Sequence, residues 1–263
     1  MLSHKLAFAA AAMWLCCAAV AEDVQGSRVA VPLGDPSRPA LIKAELSGGS
    51  ITVSGYDGKE VVVEARAAVR QDKTAPESKR IERTTPSLGV SEENNVVRVR
   101  VGESRRPPEL LIRAPFASSL KLKCRNGGEI TADRVEGEIE VEALNGAIVL
   151  RNVSGPVLAH ALNGGITVVM TKVTPDKPMY FSALNGDIEV TLPSDTKAKV
   201  KLETQNGSVH SGFDIKPGRA PDDRSRPRHD GPQKSIAGTL NGGGAEIRLK
   251  TLNGNIRLLK GKP

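Results

Sequence analysis

Aromatic residues make up 3% of the 263-residue chain, and cysteine occurs three times. Phe8, Trp14, Cys16 and Cys17 all precede residue 22, so only Tyr56, Phe116, Tyr180, Phe181, Phe213 and Cys124 remain beyond it. Sugar-binding platforms and single-stranded nucleic-acid grooves stack their ligands on aromatic faces, so this scarcity disfavours both. Cys124 has no partner thiol, which excludes an intrachain disulfide and leaves stability to a buried core. About 240 residues suffice for one, since a chain of that length buries roughly 70–75% of its extended surface. No segment after residue 21 holds the roughly 20 consecutive apolar residues that span a bilayer as a helix. Helical periodicity is also missing, which turns attention to strands.

The N-terminus has the layout of a secretory leader. Lys5 precedes an apolar run from Leu6 to Val20, and Ala19-Val20-Ala21 offers a small-x-small cleavage site before Glu22 and Asp23. The expected division is a signal peptide over 1–21 and one domain over 22–263, exported to the periplasm or the cell surface. Met13-Trp14-Leu15 is a poor context for lipid attachment at Cys16 or Cys17. Removal of Lys5 with the leader lowers the formal charge from +7 to +6. Export would also separate the chain from nucleic acid.

Internal repeats dominate the rest. Asn-Gly recurs at 126, 145, 163, 185, 206, 241 and 253, usually followed after one residue by a β-branched aliphatic. Weaker copies stand at Glu136-Gly137 and Ser154-Gly155, so successive turns from 126 to 163 are 9 or 10 residues apart. Strong and weak turns alternate, which defines a unit of about 18–22 residues containing two strands. Apolar and polar residues alternate within it: Ile139 and Val141 sit between Glu138, Glu140 and Glu142, and Ile166, Val168 and Met170 follow another turn. Such segments give one face to a core and one to water. Glycine at these turns is expected to supply positive φ. Two all-β architectures fit: a parallel β-solenoid with units stacked one on the last and asparagines in a row, or an antiparallel meander or sandwich with Asn-Gly hairpins. Unit-length repetition favours the solenoid. Less regular strands are expected in the first half, at Arg28–Val31, Ala40–Leu46, Ile51–Ser54, Glu60–Ala67, Asn95–Val101, Leu110–Ala114 and Leu120–Cys124.

The order of phrases resembles a bacterial family of adhesin-like β-strand-repeat proteins, formally a domain of unknown function. It is carried by Gly49-Ser-Ile-Thr-Val-Ser-Gly-Tyr-Asp57, Glu60-Val-Val-Val-Glu64, Leu111-Ile-Arg-Ala-Pro115, Leu144-Asn-Gly146, Leu162-Asn-Gly164, Thr204-Gln-Asn-Gly207 and Leu252-Asn-Gly-Asn-Ile256. The resemblance covers nearly all of the chain beyond the leader. It implies a right-handed solenoid-like fold in the envelope and no catalytic residues.

The residues themselves point the same way. His160, His210 and His229 have no second histidine or cysteine at metal-ligand spacing, no nucleophile elbow is present, and no cofactor or metal is expected. Glu138, Glu140 and Glu142 share a strand face. They could serve a carbohydrate-active enzyme of solenoid type, the alternative to a non-enzymatic protein, although Arg151 and other cations would offset them. A third reading is an accessory whose exposed strand edge receives a partner chain.

The departure from the family pattern is Lys216–Lys234, expected as a mobile surface loop. Lys216, Arg219, Arg224, Arg226, Arg228 and Lys234 against Asp222, Asp223 and Asp230 give it a net charge of +3. Arg248, Lys250, Arg257, Lys260 and Lys262 add to the basic end. Phospholipid headgroups, lipopolysaccharide, peptidoglycan or an envelope protein are the expected partners, reached by salt-sensitive attraction.

Overall fold

The structure, a computed structural model, describes residues 27–67, 86–102, 106–217 and 234–261. The expected leader and Arg219, Arg224, Arg226, Arg228, His229 and Lys262 lie outside them. All regular structure among the described residues is β. The first strands are β1 (Ser27–Pro32), β2 (Leu41–Gly48), β3 (Ser50–Tyr56), β4 (Glu60–Ala67), β5 (Leu88–Glu93), β6 (Val96–Val101) and β7 (Pro108–Pro115). Four pairs follow: β8 (Ser119–Asn126) with β9 (Ile130–Asp133), β10 (Ile139–Asn145) with β11 (Ile148–Val153), β12 (Val157–Asn163) with β13 (Ile166–Met170), and β14 (Met179–Asn185) with β15 (Ile188–Leu192). The chain ends with β16 (Ala198–Asn206), β17 (Val209–Ser211), β18 (Lys216–Pro217), β19 (Lys234–Leu240), β20 (Ala245–Asn253) and β21 (Ile256–Lys260).

These strands form two sheets with one core between them and no closed barrel. Sheet I runs β1-β4-β7-β3-β9-β11-β13-β15-β21-β17, and sheet II runs β18-β19-β16-β20-β14-β12-β10-β8-β2-β6-β5. From β7 to β17 in sheet I, and from β16 to β6 in sheet II, every neighbouring pair is parallel. Antiparallel pairing, the alternative for the whole chain, is confined to the ends: β1-β4-β7, β5-β6 and β16-β19-β18. Each rung of the stack is therefore one strand of sheet II turning into one of sheet I.

The rungs do not stack in chain order, contrary to the expectation that each unit lies on the last. The β2/β3 rung is inserted between β6/β7 and β8/β9, and β20/β21 between β14/β15 and β16/β17. At the C-terminal end the cause is local. β19 pairs antiparallel with one edge of β16, and β20 pairs parallel with the other, so the chain straddles β16. The connecting turn needs left-handed backbone: φ is 47° at Asn241, 93° at Gly242 and 89° at Gly243. Asn241 is thus a true turn residue, its Nδ2 donating to the carbonyls of Ser194 (3.1 Å) and Thr196 (2.9 Å), and not a copy of the repeat.

The six other Asn-Gly pairs form one corner of the stack. Five of the six asparagines donate Nδ2 to the Oδ1 of a neighbour: Asn145 to Asn126 (3.2 Å), Asn163 to Asn145 (2.9 Å), Asn185 to Asn163 (2.8 Å), Asn253 to Asn185 (2.7 Å) and Asn206 to Asn253 (2.8 Å). Positive φ is not the reason for most of the glycines, since of this set only Gly127 has it. They are needed because stacked backbones touch. A Cβ on Gly164 would lie 2.1 Å from the carbonyl oxygen of Gly146, and one on Gly186 would lie 2.2 Å from that of Gly164. The weak turns make the opposite corner in the same way, with a Cβ on Gly155 placed 1.8 Å from the Gly137 oxygen. Past the ladder, Ile130, Ile148, Ile166, Ile188 and Ile256 stack in register, all fully buried.

Candidate functional site

Alternation in β6, β2, β8, β10, β12, β14, β20 and β16 sends every second residue to the outer face of sheet II, and parallel register aligns them into rows across the strands. One row reads Arg98, Lys43, Lys121, Glu140, Leu158, Tyr180, Arg248, Lys201. The next reads Arg100, Glu45, Lys123, Glu142, His160, Ser182, Lys250, Glu203. The face thus has a basic end over β6, β2 and β8, an uncharged middle where Leu158 and Tyr180 stand beside His160 and Ser182, and a mixed-charge end over β20 and β16.

The basic end is an open groove of about 510 Å³ lined by Lys43, Arg98, Arg100, Lys121, Lys123 and Arg125, with Glu45 the one carboxylate. Lys121 pairs with Glu140 (2.6 Å), Lys123 with Glu142 (2.6 Å), Arg125 with Glu45 (2.8 Å) and Arg98 with Glu93 (3.4 Å). Lys43 and Arg100 have no side-chain partner among the described residues. Lys43 stands in register between Arg98 and Lys121, three cations on adjacent strands. Like charges directly opposite each other destabilise a sheet unless a counter-ion sits over them. Reading the sequence missed this groove, because its cations come from three segments whose mutual register no single segment reveals.

Of the three carboxylates singled out in the sequence, Glu140 and Glu142 are held as ion pairs on that open face. Lys121 and Lys123 on the neighbouring strand, rather than Arg151, offset Glu140 and Glu142. His160 and His210 are exposed on β12 and β17. Of the basic-loop residues, Lys216 and Lys234 are described, on β18 and β19 at the far edge of sheet II, and Lys234 Nζ donates to the Gly207 carbonyl (2.9 Å). Arg248 and Arg257 of the basic C-terminal stretch pair with Glu203 (3.1 Å) and Glu189 (3.2 Å), and Lys260 lies over the Phe213 ring (5.3 Å). Cys124 is buried with its thiol donating to the Gly49 carbonyl (3.3 Å), and burial pushes its pKa up.

Among the described residues, four carboxyls sit below their ordinary pKa, Asp35 among them through its hydrogen bonds from Ser37. Burial works to raise that of Glu203, but hydrogen bonds from Lys201 and Arg248 outweigh it. Glu142 is lowered by its bond from Lys123, and Asp187 by the backbone N–H of Asn255. A depressed folded pKa gives stability that is complete above the unfolded value and lost as pH falls through the folded one. The urea midpoint should therefore stay level down to the ordinary glutamate value of 4.5 and fall below it; in Glu203→Gln that fall should be shallower.

Among solved structures, a "putative cell adhesion protein" from Clostridium sporogenes ATCC 15579 superposes with a TM-score of 0.53 at 13% identity, over 90% of this chain and 100% of its own. At that identity the likeness speaks for the fold. A "putative adhesin" from Bacteroides fragilis NCTC 9343 gives a TM-score of 0.35 at 12% identity, over 89% of this chain and 97% of its own. No curated protein matches the sequence. The model of the Toastrack DUF4097 family matches residues 41–259, from the first residue of β2 into β21. The chain belongs to the Toastrack DUF4097 family.

Proposed function

We propose that this is a non-enzymatic, adhesin-like protein of the bacterial envelope, a right-handed β-solenoid held against anionic envelope groups by its basic surfaces. The observation carrying this reading is the Arg98–Lys43–Lys121 row, in which Lys43 is flanked by cations and has no carboxylate partner of its own among the described residues. Juxtaposed phosphates or carboxylates would supply the missing charge. The expected leader, the basic segment between Lys216 and Lys234 and the name of the Clostridium sporogenes structure support the same setting. Adhesion through repeated charge contacts needs a rigid face and no reaction centre, and a stack of parallel strands offers that.

The test is sedimentation of residues 22–263 with vesicles of phosphatidylglycerol or of phosphatidylcholine, at low and high salt. Binding to the anionic vesicles alone, lost at high salt, is the expected result. Each basic residue near an anionic surface contributes about 1 kcal/mol, so K43E/R100E should weaken binding at least tenfold. Binding unchanged in that variant but lost on deleting residues 218–233 would move the contact to the loop. No sedimentation at low salt would overturn the proposal.

A further inference from the structure

The middle of the sheet II face carries exposed apolar side chains on both sides of His160 and Ser182. Leu144, Leu158, Tyr180 and Leu184 are 41, 48, 37 and 36% accessible, and Leu162 and Leu252 are half-buried beside them. The four leucines preceding the ladder asparagines, 144, 162, 184 and 252, fall on consecutive strands and form one row. With Leu158 and Tyr180 on the far side of His160 and Ser182, this exposed apolar cluster on an otherwise charged sheet marks an interaction surface.

We infer that the patch closes on a second copy of this chain, about a two-fold axis parallel to the strands and lying between β12 and β14. Such an axis places each strand of one copy over its counterpart at equal distance on the other side, without shifting the rows. β12 then covers the other copy's β14, and β10 covers its β20. Leu162 meets Leu184, Leu144 meets Leu252, and Leu158 meets Tyr180. The charges bordering the patch are matched by the same operation: Glu142 meets Lys250, and Glu140 meets Arg248. One strand further out, Lys123 meets Glu203. A two-fold axis perpendicular to the strands does neither. It sets Glu142 against itself and opposes Leu144 and Leu252 with Glu140 and Arg248.

The like-charged meetings of the parallel arrangement, Lys121 with Lys201 and Glu138 with Glu246, fall on its wet rim, where screening acts over roughly 10 Å. Beyond that rim lie the β2 and β6 side of the basic groove and the β18–β19 edge. Six strands at about 4.8 Å and three rows at about 6.6 Å cover roughly 30 by 20 Å, or ~600 Å² per copy. That lies toward the small end of specific interfaces, which bury about 800 Å² per partner, so the dimer should be concentration-dependent.

Charge exchange tests this arrangement. Sedimentation velocity of residues 22–263 without lipid should show a monomer–dimer equilibrium. E142K places two lysine pairs across the axis and K250E two glutamate pairs, and each should raise the dissociation constant at least about tenfold. Mixing the two variants restores both pairs, so a heterodimer should form from chains that are monomeric alone, and E142K/K250E should dimerise by itself. L158R should abolish association while leaving the unfolding transition intact. A wild-type chain that stays monomeric at about 100 µM overturns the inference, and so does a dimer indifferent to these variants.

Discussion

Gly186→Ala should destabilise the chain by at least about 3 kcal/mol, the upper range for forcing one extra carbon into a packed site. The new Cβ would lie 2.2 Å from the Gly164 carbonyl oxygen and 2.5 Å from its carbon, both backbone atoms. A flexible side chain could rotate away, but here a whole rung has to lift. Lifting it lengthens the Asn185–Asn163 bond at 2.8 Å and opens the contact between Ile188 and Ile166. For a chain of this size the loss corresponds to a fall in Tm of roughly 6–12 °C. Gly242→Ala makes the control, because its Cβ meets nothing within 4 Å and only its φ of 93° opposes the change. That variant should lose about 1 kcal/mol, the ordinary cost of placing a side chain in left-handed backbone. Thermal unfolding of both variants decides the matter. Equal losses would mean that the Asn-Gly glycines act through turn conformation after all.

Ending the chain after Gly244 should abolish cooperative folding. In a solenoid stacked in chain order, that deletion trims one rung and the remaining rungs keep their neighbours. Here it removes β20 and β21 from between β14/β15 and β16/β17. β14 and β16 each lose their parallel partner, β15 and β17 lose β21, and the asparagine ladder is cut between Asn185 and Asn206. Ile247, Leu249, Ile256 and Leu258 leave the core, all fully buried. At about 2 kcal/mol for each buried aliphatic side chain, the loss approaches the 5–15 kcal/mol that holds a typical domain together. The expected chain is insoluble or lacks a sharp urea transition. A soluble truncated chain with a cooperative transition would show that β16 can close directly on β14.

The strands were legible in the sequence to a larger extent than their order. Alternation at Ile139-Glu140-Val141-Glu142 marks both the strand and its buried face, and every segment expected in the first half contains or overlaps an observed strand. Alternating strong and weak turns correctly implied two strands per unit, because the two corners of the stack differ in chemistry: asparagine rows at one, bare glycine contacts at the other. What the pattern could not convey is which rung lies on which. β20 has the same Leu-Asn-Gly ending whether it stacks on β16 or on β14, and only the turn at Asn241 directs it. Asn241-Gly242 itself was indistinguishable from a ladder copy by composition. The basic loop drew attention because its cations are contiguous, whereas the groove of Lys43, Arg98 and Lys121 is assembled by register from positions 78 residues apart.

The two inserted rungs also fix where this architecture can change length. Between β8 and β15, consecutive units are spatial neighbours, so duplicating one, such as residues 146–163, adds a rung with ready-made contacts above and below. Copying the first or last unit of the chain has no such outcome, since each is already enclosed and its duplicate would compete for an occupied slot. The antiparallel strands beyond β7, β6 and β16 close those ends further. Growth and loss of repeats are therefore expected in the middle of the gene alone, and variation in length among relatives of this chain should come as multiples of one central unit.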